Sequence, residues 1–172
     1  MYKYFLILIG TIIFAQSPVE LQKVAQTNLD SGNISEAEVG FNAAIQADPT
    51  FAPAYLGLAH TLMRKGDLKK TGNYLKEAIE IEPENQDFRD EFERLSELNT
   101  LMNRGIRSMK NGDADNAFES FRVAYEKFPN YPESVFNMGL TLFRKKDFNE
   151  AVQYFNKALE INPEHKTASA AI

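Results

Sequence analysis

Apolar residues recur along this chain at intervals of three and four, the spacing that places them on one face of a helix. In residues 132–165, Val135, Met138, Gly139 and Leu142 form one such stripe. Lys145-Lys146-Asp147 interrupts it, and Ala151, Phe155, Ala158 and Leu159 form a second. Pro163 ends that second helix, because proline lacks the amide proton and restricts the residue before it. The pattern predicts a helix–turn–helix unit in which neither helix buries its stripe alone.

The same punctuation recurs. Pro49, Pro83, Pro129 and Pro163 stand 34, 46 and 34 residues apart. Five positions before each is an alanine (Ala44, Ala78, Ala124, Ala158), and eight before is Phe41, Leu75, Phe121 or Phe155. Twelve before is a small residue, Ala37, Thr71, Ala117 or Ala151. The first helices open with Leu21, Val24, Ala25 and Asn28; with Tyr55, Leu58, Ala59 and Leu62; and with the more polar Leu101, Arg104, Gly105 and Ser108. Gly32, Gly66 and Gly112 sit in the turns, where positive φ favours glycine, and Lys146 takes that place in the fourth unit, with strain expected. Asn33, Asp67, Asp113 and Asp147 follow as predicted N-caps, with capping-box spacing to Glu36 and Glu150. A fixed period of this length predicts stacked repeats.

The 46-residue interval holds twelve extra residues. Phe88, Phe92, Leu95, Leu98, Met102, Ile106 and Met109 continue one helical stripe through them. Either one long helix spans about 86–109, or residues 86–96 form a short capping helix that breaks near Ser96. Residues 77–97 carry nine acidic groups against Arg89 and Arg94, a balance of −7. That stretch reads as a solvated helix face, or as a docking surface for a basic partner.

The four-fold pattern of small and large apolar residues resembles the tetratricopeptide repeat family over residues 18–165. The resemblance implies an all-α helix–turn–helix solenoid of four repeats in two pairs, joined by an extended linking helix. Residues 16–85 then form the first pair, 86–97 the inserted linking or capping helix, 98–165 the second pair, and 166–172 a tail. Asn28, Thr71, Arg104 and Ser108 depart from the apolar residues the family usually places there. In that family the first helix of each unit lines a concave groove that binds a peptide or helix of a protein partner. The corresponding positions are Gln22, Gln26 and Leu29 in unit one, and Leu56, His60, Met63 and Arg64 in unit two. Unit three supplies Met102, Ile106, Met109 and Lys110, and unit four Phe136, Leu140, Phe143 and Arg144. Units three and four therefore present the more apolar groove, suited to an amphipathic or extended apolar segment. Arg64, Lys110 and Arg144 share one position from which to meet a ligand carboxylate. Gln22, Gln26 and Gly57 do not match the set with which some members grip a C-terminal carboxylate.

The net charge of −5 argues against nucleic acid as a partner, since neutralising phosphates requires a basic surface. The chain has no cysteine, hence no disulfide or thiolate metal site. Its two histidines, His60 and His165, have no second ligand at metal spacing, so neither metal nor cofactor is expected and no catalytic constellation stands out. Asn33-Ile34-Ser35 matches a glycosylation acceptor, although Asn33 already has a role as a cap.

Lys3, an apolar run from Tyr4 to Phe14, and Ala15-Gln16-Ser17-Pro18 read as a secretory signal over residues 1–15, cleaved after Ala15. The alternative is an uncleaved anchor, in which case the chain contacts a membrane there. Eleven helical residues rise about 17 Å, short of the roughly 30 Å bilayer core. Both readings place the repeats outside the cytoplasm, in a periplasm or at a cell surface. The sequence thus predicts an exported, non-enzymatic protein-interaction adaptor. Two alternatives stand beside it: a scaffold that forms homo-oligomers through Val152, Phe155 and Leu159 at the C-terminal end, and an accessory domain that delivers substrate to an enzyme.

Overall fold

The computed structural model describes residues 16–172, so the predicted signal segment 1–15 lies outside the described residues. The described residues form nine helices and no strand. Four antiparallel pairs account for eight of them. These are α1 (Pro18–Asp30) with α2 (Ile34–Ala47), and α3 (Ala52–Arg64) with α4 (Leu68–Ile81). Then come α5 (Gln86–Lys110) with α6 (Ala114–Lys127), and α7 (Pro132–Arg144) with α8 (Phe148–Ile161), followed by a single turn, α9 (Lys166–Ser169). No described helix is long and apolar enough to cross a membrane.

The four turns between paired helices share one backbone solution. The amides of Asn33, Asp67, Asp113 and Asp147 each donate to a carbonyl five residues back: Asn28, Leu62, Ser108 and Leu142, at 2.9 to 3.0 Å. That bond closes a Schellman motif, which needs a left-handed residue just before it. Gly66 supplies one at φ +84°, whereas Lys146 holds φ +69° with a side chain, the strain its place in the pattern predicts. The cap expectation divides. Asp67 and Asp113 accept from Lys70 and Asn116 amides at 3.0 and 3.1 Å, while Asn33 and Asp147 make no side-chain cap bond. Their predicted capping boxes do not form, and these two residues are held only through the backbone bond that all four turns share. A complete box forms instead at Ser17 and Glu20, before α1.

The units bury most of their predicted stripes, although Val24 of the first and Arg104 of the third are exposed. Phe121 and Phe155 are buried against Gly105 and Gly139, where an added Cβ would come within 2.5 and 2.6 Å of the rings. The insertion resolves as one continuous helix, since α5 runs for 25 residues, about 37 Å. It nevertheless serves two cores. Leu95 packs with Ala59 and Leu75 of the first pair, and Leu98 with Phe121, Phe128 and Tyr131 of the second.

The two pairs then meet again. Met63 and Leu68 pack against the third unit's core. Arg64 donates to the carbonyl of Leu29 and, at 2.8 Å, to that of Ile161. Ser35 donates through its amide and hydroxyl to the Glu164 carboxylate at 3.2 and 2.6 Å. The second pair is therefore folded back against the first. At the C-terminal end Phe155, one of the three residues assigned to the homo-oligomer alternative, is buried in the fourth unit's own core. Leu159 is half-buried beside Ala168 of α9.

Candidate functional site

The ends of α1 and α3 and the first half of α5 enclose a cleft of about 260 Å³. Gln26, Leu29 and Asp30 come from α1, His60, Met63 and Arg64 from α3, and Glu91, Arg94 and Leu95 from α5. Thr71 and Leu75 of α4, with Phe128 and Asn130 at the corner between α6 and α7, complete the wall. The one-turn spacing of Gln26 to Leu29, and of His60 to Met63 and Arg64, puts each set on one helix face.

The chemistry is mixed in sign. His60 Nε2 lies 3.7 Å from Glu91 Oε2, and Arg94 pairs with Glu91 at 2.7 Å. The His60 imidazole beside it holds the Glu91 carboxyl below the usual range, with Arg94 adding to the effect and burial opposing it. The Arg94 guanidinium also stands 5.7 Å from the centre of the Phe128 ring, a cation–π contact joining α5 to the corner. Arg64 is half-buried, and burial lowers its pKa while Asp30 works against that. Two of its nitrogens serve carbonyls, and its Nε is buried without a partner.

Beside the cleft lies a second polar cluster. Glu133 packs against Gly66, where any Cβ would come within 2.7 Å of its carboxylate, and it reaches His165 Nε2 at 3.1 Å. Burial raises the Glu133 pKa, and His165 opposes the shift. Because His165 Nδ1 accepts the Ala168 amide at 3.1 Å, the neutral imidazole carries its proton on Nε2, which is buried and makes no hydrogen bond of good geometry. Burial, with Glu133 and Asp67 nearby, raises the pKa of the Tyr131 phenol.

Apart from Gln22, the sequence-predicted groove residues separate into three groups. Gln26, Leu29, His60, Met63 and Arg64 converge on the cleft. Leu56, Met102, Phe136 and Leu140 serve the interior. Met102 is only 5% exposed, Leu56 packs with Phe88 and Leu95, and Phe136 lies against Phe155 and His165 at centroid distances of 5.4 and 5.1 Å. Leu140 is half-buried beside Phe155. Gln22 is half-buried and lines no part of the cleft. Ile106, Lys110, Phe143 and Arg144 are exposed at the ends of α5 and α7, and Met109 between them is half-buried. Arg144 donates to the Met109 carbonyl at 3.2 Å, as Arg64 does to Leu29, so in both pairs this cation caps the preceding first helix. The α5 and corner residues of the cleft had little sequence signal. The stripe through Phe88, Phe92 and Leu95 located α5, but nothing local showed that Glu91 and Arg94 would face His60, or that Phe128 would return to it.

The architecture is that of a helical-hairpin repeat protein. Residues 52–85 and 132–165 each match a family model described as tetratricopeptide repeat, and the chain belongs to that family. It is 25% identical to human (Homo sapiens) tetratricopeptide repeat protein 6 across 76% of this chain and 29% of that one. It is 29% identical to anaphase-promoting complex subunit CDC16 of Saccharomyces cerevisiae across 86% of this chain and 16% of that one. The chain thus spans less than a third of these curated relatives. Photosystem I assembly protein Ycf3 of Synechococcus is 30% identical across 57% of this chain and 60% of its own. Among solved structures, the P58(IPK) TPR domain superposes with a TM-score of 0.53 at 14% identity, covering 88% of this chain and 52% of that one, which shows the fold.

Proposed function

We propose that the chain is a protein-interaction adaptor that receives a segment of a partner protein at the cleft between α1, α3 and α5. Its fold is one whose members generally bind proteins without catalysing reactions. The observation that carries the reading is the convergence on one cleft of groove positions from two successive units: Gln26 and Leu29, then His60, Met63 and Arg64. A volume of about 260 Å³ accommodates one or two side chains, so the partner anchors there with a short segment. Leu29, Leu75 and Leu95 offer an apolar floor, and His60, Glu91 and Arg94 a polar rim. Buried anchors of this kind supply most of the affinity in such interfaces. We place the site here instead of between units three and four because Met102 and Phe136 are already spent on the chain's own packing.

The test is a photo-reactive residue placed in turn at His60, Phe143 and Val39, followed by irradiation in the native host. A partner cross-linked from His60 and absent from Val39 supports the cleft. Cross-linking from Phe143 alone moves the site to the edge of units three and four and overturns it. Export belongs to the same proposal and rests on the character of residues 1–15. A mature chain beginning at Gln16 is the expected result of N-terminal mass spectrometry, and an intact Met1 on protein held in the cytoplasm would sink it.

A further inference from the structure

The boundary between the two hydrophobic cores falls within one turn of α5. Leu95 belongs to the first pair's core and Leu98 to the second's, while Ser96, Glu97, Asn99 and Thr100 are exposed. The Thr100 hydroxyl donates to the Ser96 carbonyl at 2.9 Å, a back-bond that often accompanies helix bending. Away from this turn, what holds the pairs together is mostly polar. Ser35 and Glu164 are joined by two bonds at exposed positions, Arg64 reaches the Ile161 carbonyl, and Glu133 rests on Gly66. The apolar part of this junction is Met63 and Leu68 set against the third unit's core. A cavity of about 260 Å³ remains beside it, far from the density of a protein interior.

We propose that the second repeat pair is a built-in occupant of the first pair's concave side. The chain opens about the Leu95–Thr100 turn, and a partner gains the full groove by displacing the corner that carries Phe128 and Asn130. The inference rests on the cleft reading above. Ser35–Glu164 and Arg64–Ile161 act as the latch. In the closed form the corner walls the groove, so the cleft admits one or two side chains and excludes a longer helix. Apparent affinity for such a helix then scales with the fraction of open chains.

The absence of cysteine allows a direct test on the full chain. Spin labels on Val39→Cys and Phe148→Cys, both exposed, report the distance between the two pairs, and labels on Val39→Cys and Lys69→Cys report within the first pair. Adding Ser35→Ala and Glu164→Ala removes two bonds to a carboxylate, and the ratio of open to closed chains should rise about tenfold. Met63→Glu, which places a charge in the apolar part of the junction, should raise it further. The expected result is a second, longer distance between pairs while the distance within the first pair stays fixed. A single unchanged inter-pair distance in both variants overturns the latch. Loss of the intra-pair distance as well would mean global unfolding in place of hinged opening, and overturns it equally. Neither measurement needs a partner, so failure here is separable from failure of the cross-linking test.

Discussion

Arg64 and Arg144 occupy the same repeat position in the two pairs, and each donates to a carbonyl at the end of the preceding first helix. Their surroundings differ. Arg64 is half-buried and also grips Ile161 from the other end of the chain, whereas Arg144 is exposed and makes that single bond. The turns that follow differ in the same sense. Gly66 lies under Glu133, and Lys146 stands in solvent with Phe143 and Phe148 exposed on either side, their rings 5.1 Å apart. One local code thus builds both pairs, and long-range packing decides which copy becomes interior.

The largest expected effect tests what the pairs share. Phe155→Ala and Phe121→Ala each empty a buried site against a glycine and should cost about 3–5 kcal/mol in urea denaturation. Comparable losses would show that the fourth unit needs no cover from another chain, and a negligible loss at Phe155 would break that equivalence. Next, Arg64→Ala should cost about 2–3 kcal/mol, because it leaves two carbonyls without their charged donor. Arg144→Ala should stay within about 0.5 kcal/mol, as befits an exposed site. Equal losses would contradict the asymmetry between the pairs.

A smaller contrast lies in the turns. Gly66→Ala should destabilise by about 1–2 kcal/mol through its left-handed backbone alone, and more through collision with Glu133. Lys146→Gly should stabilise by about 1 kcal/mol, since it relieves the strain without disturbing a packed neighbour. Calorimetric melting of the two variants should therefore shift in opposite directions.

The smallest effect concerns acid. The Lys70 backbone amide holds the Asp67 carboxylate below its ordinary 3.8, so the folded form binds the proton less tightly than the unfolded chain. Asp67 therefore contributes stability that is present above about 3.8 and lost as pH falls through the lower folded value. Asp67→Asn keeps the cap and removes this titration, so the loss of stability between pH 5 and pH 2 should shrink slightly. A steeper acid loss in the variant would reverse the sign of the argument.

The helices, the repeat period and the interior of each unit were legible in the sequence because they are local. Stripes at three and four, a proline after each second helix, and small residues opposite Phe121 and Phe155 fix the hairpins with little reference to the rest of the chain. Even the strain at Lys146 could be anticipated from the glycines at its equivalents. The candidate site was half legible. Gln26, His60, Met63 and Arg64 follow from repeat register, while Glu91, Arg94, Phe128 and Asn130 come from elements that a repeat register does not relate to them. Met102 and Phe136 carried the same apolar signal whether they were to line a groove or fill a core, and periodicity cannot distinguish those fates. The sequence by itself determined four helical hairpins and the continuous stripe of α5. Only the tertiary structure decided that α5 stays one helix, that the second pair folds back on the first, and that Arg64 closes the contact. The physical reason is separation along the chain. Ser35 and Glu164 stand 129 residues apart, and no local pattern encodes a bond whose two halves are set by the accumulated geometry of every hairpin between them.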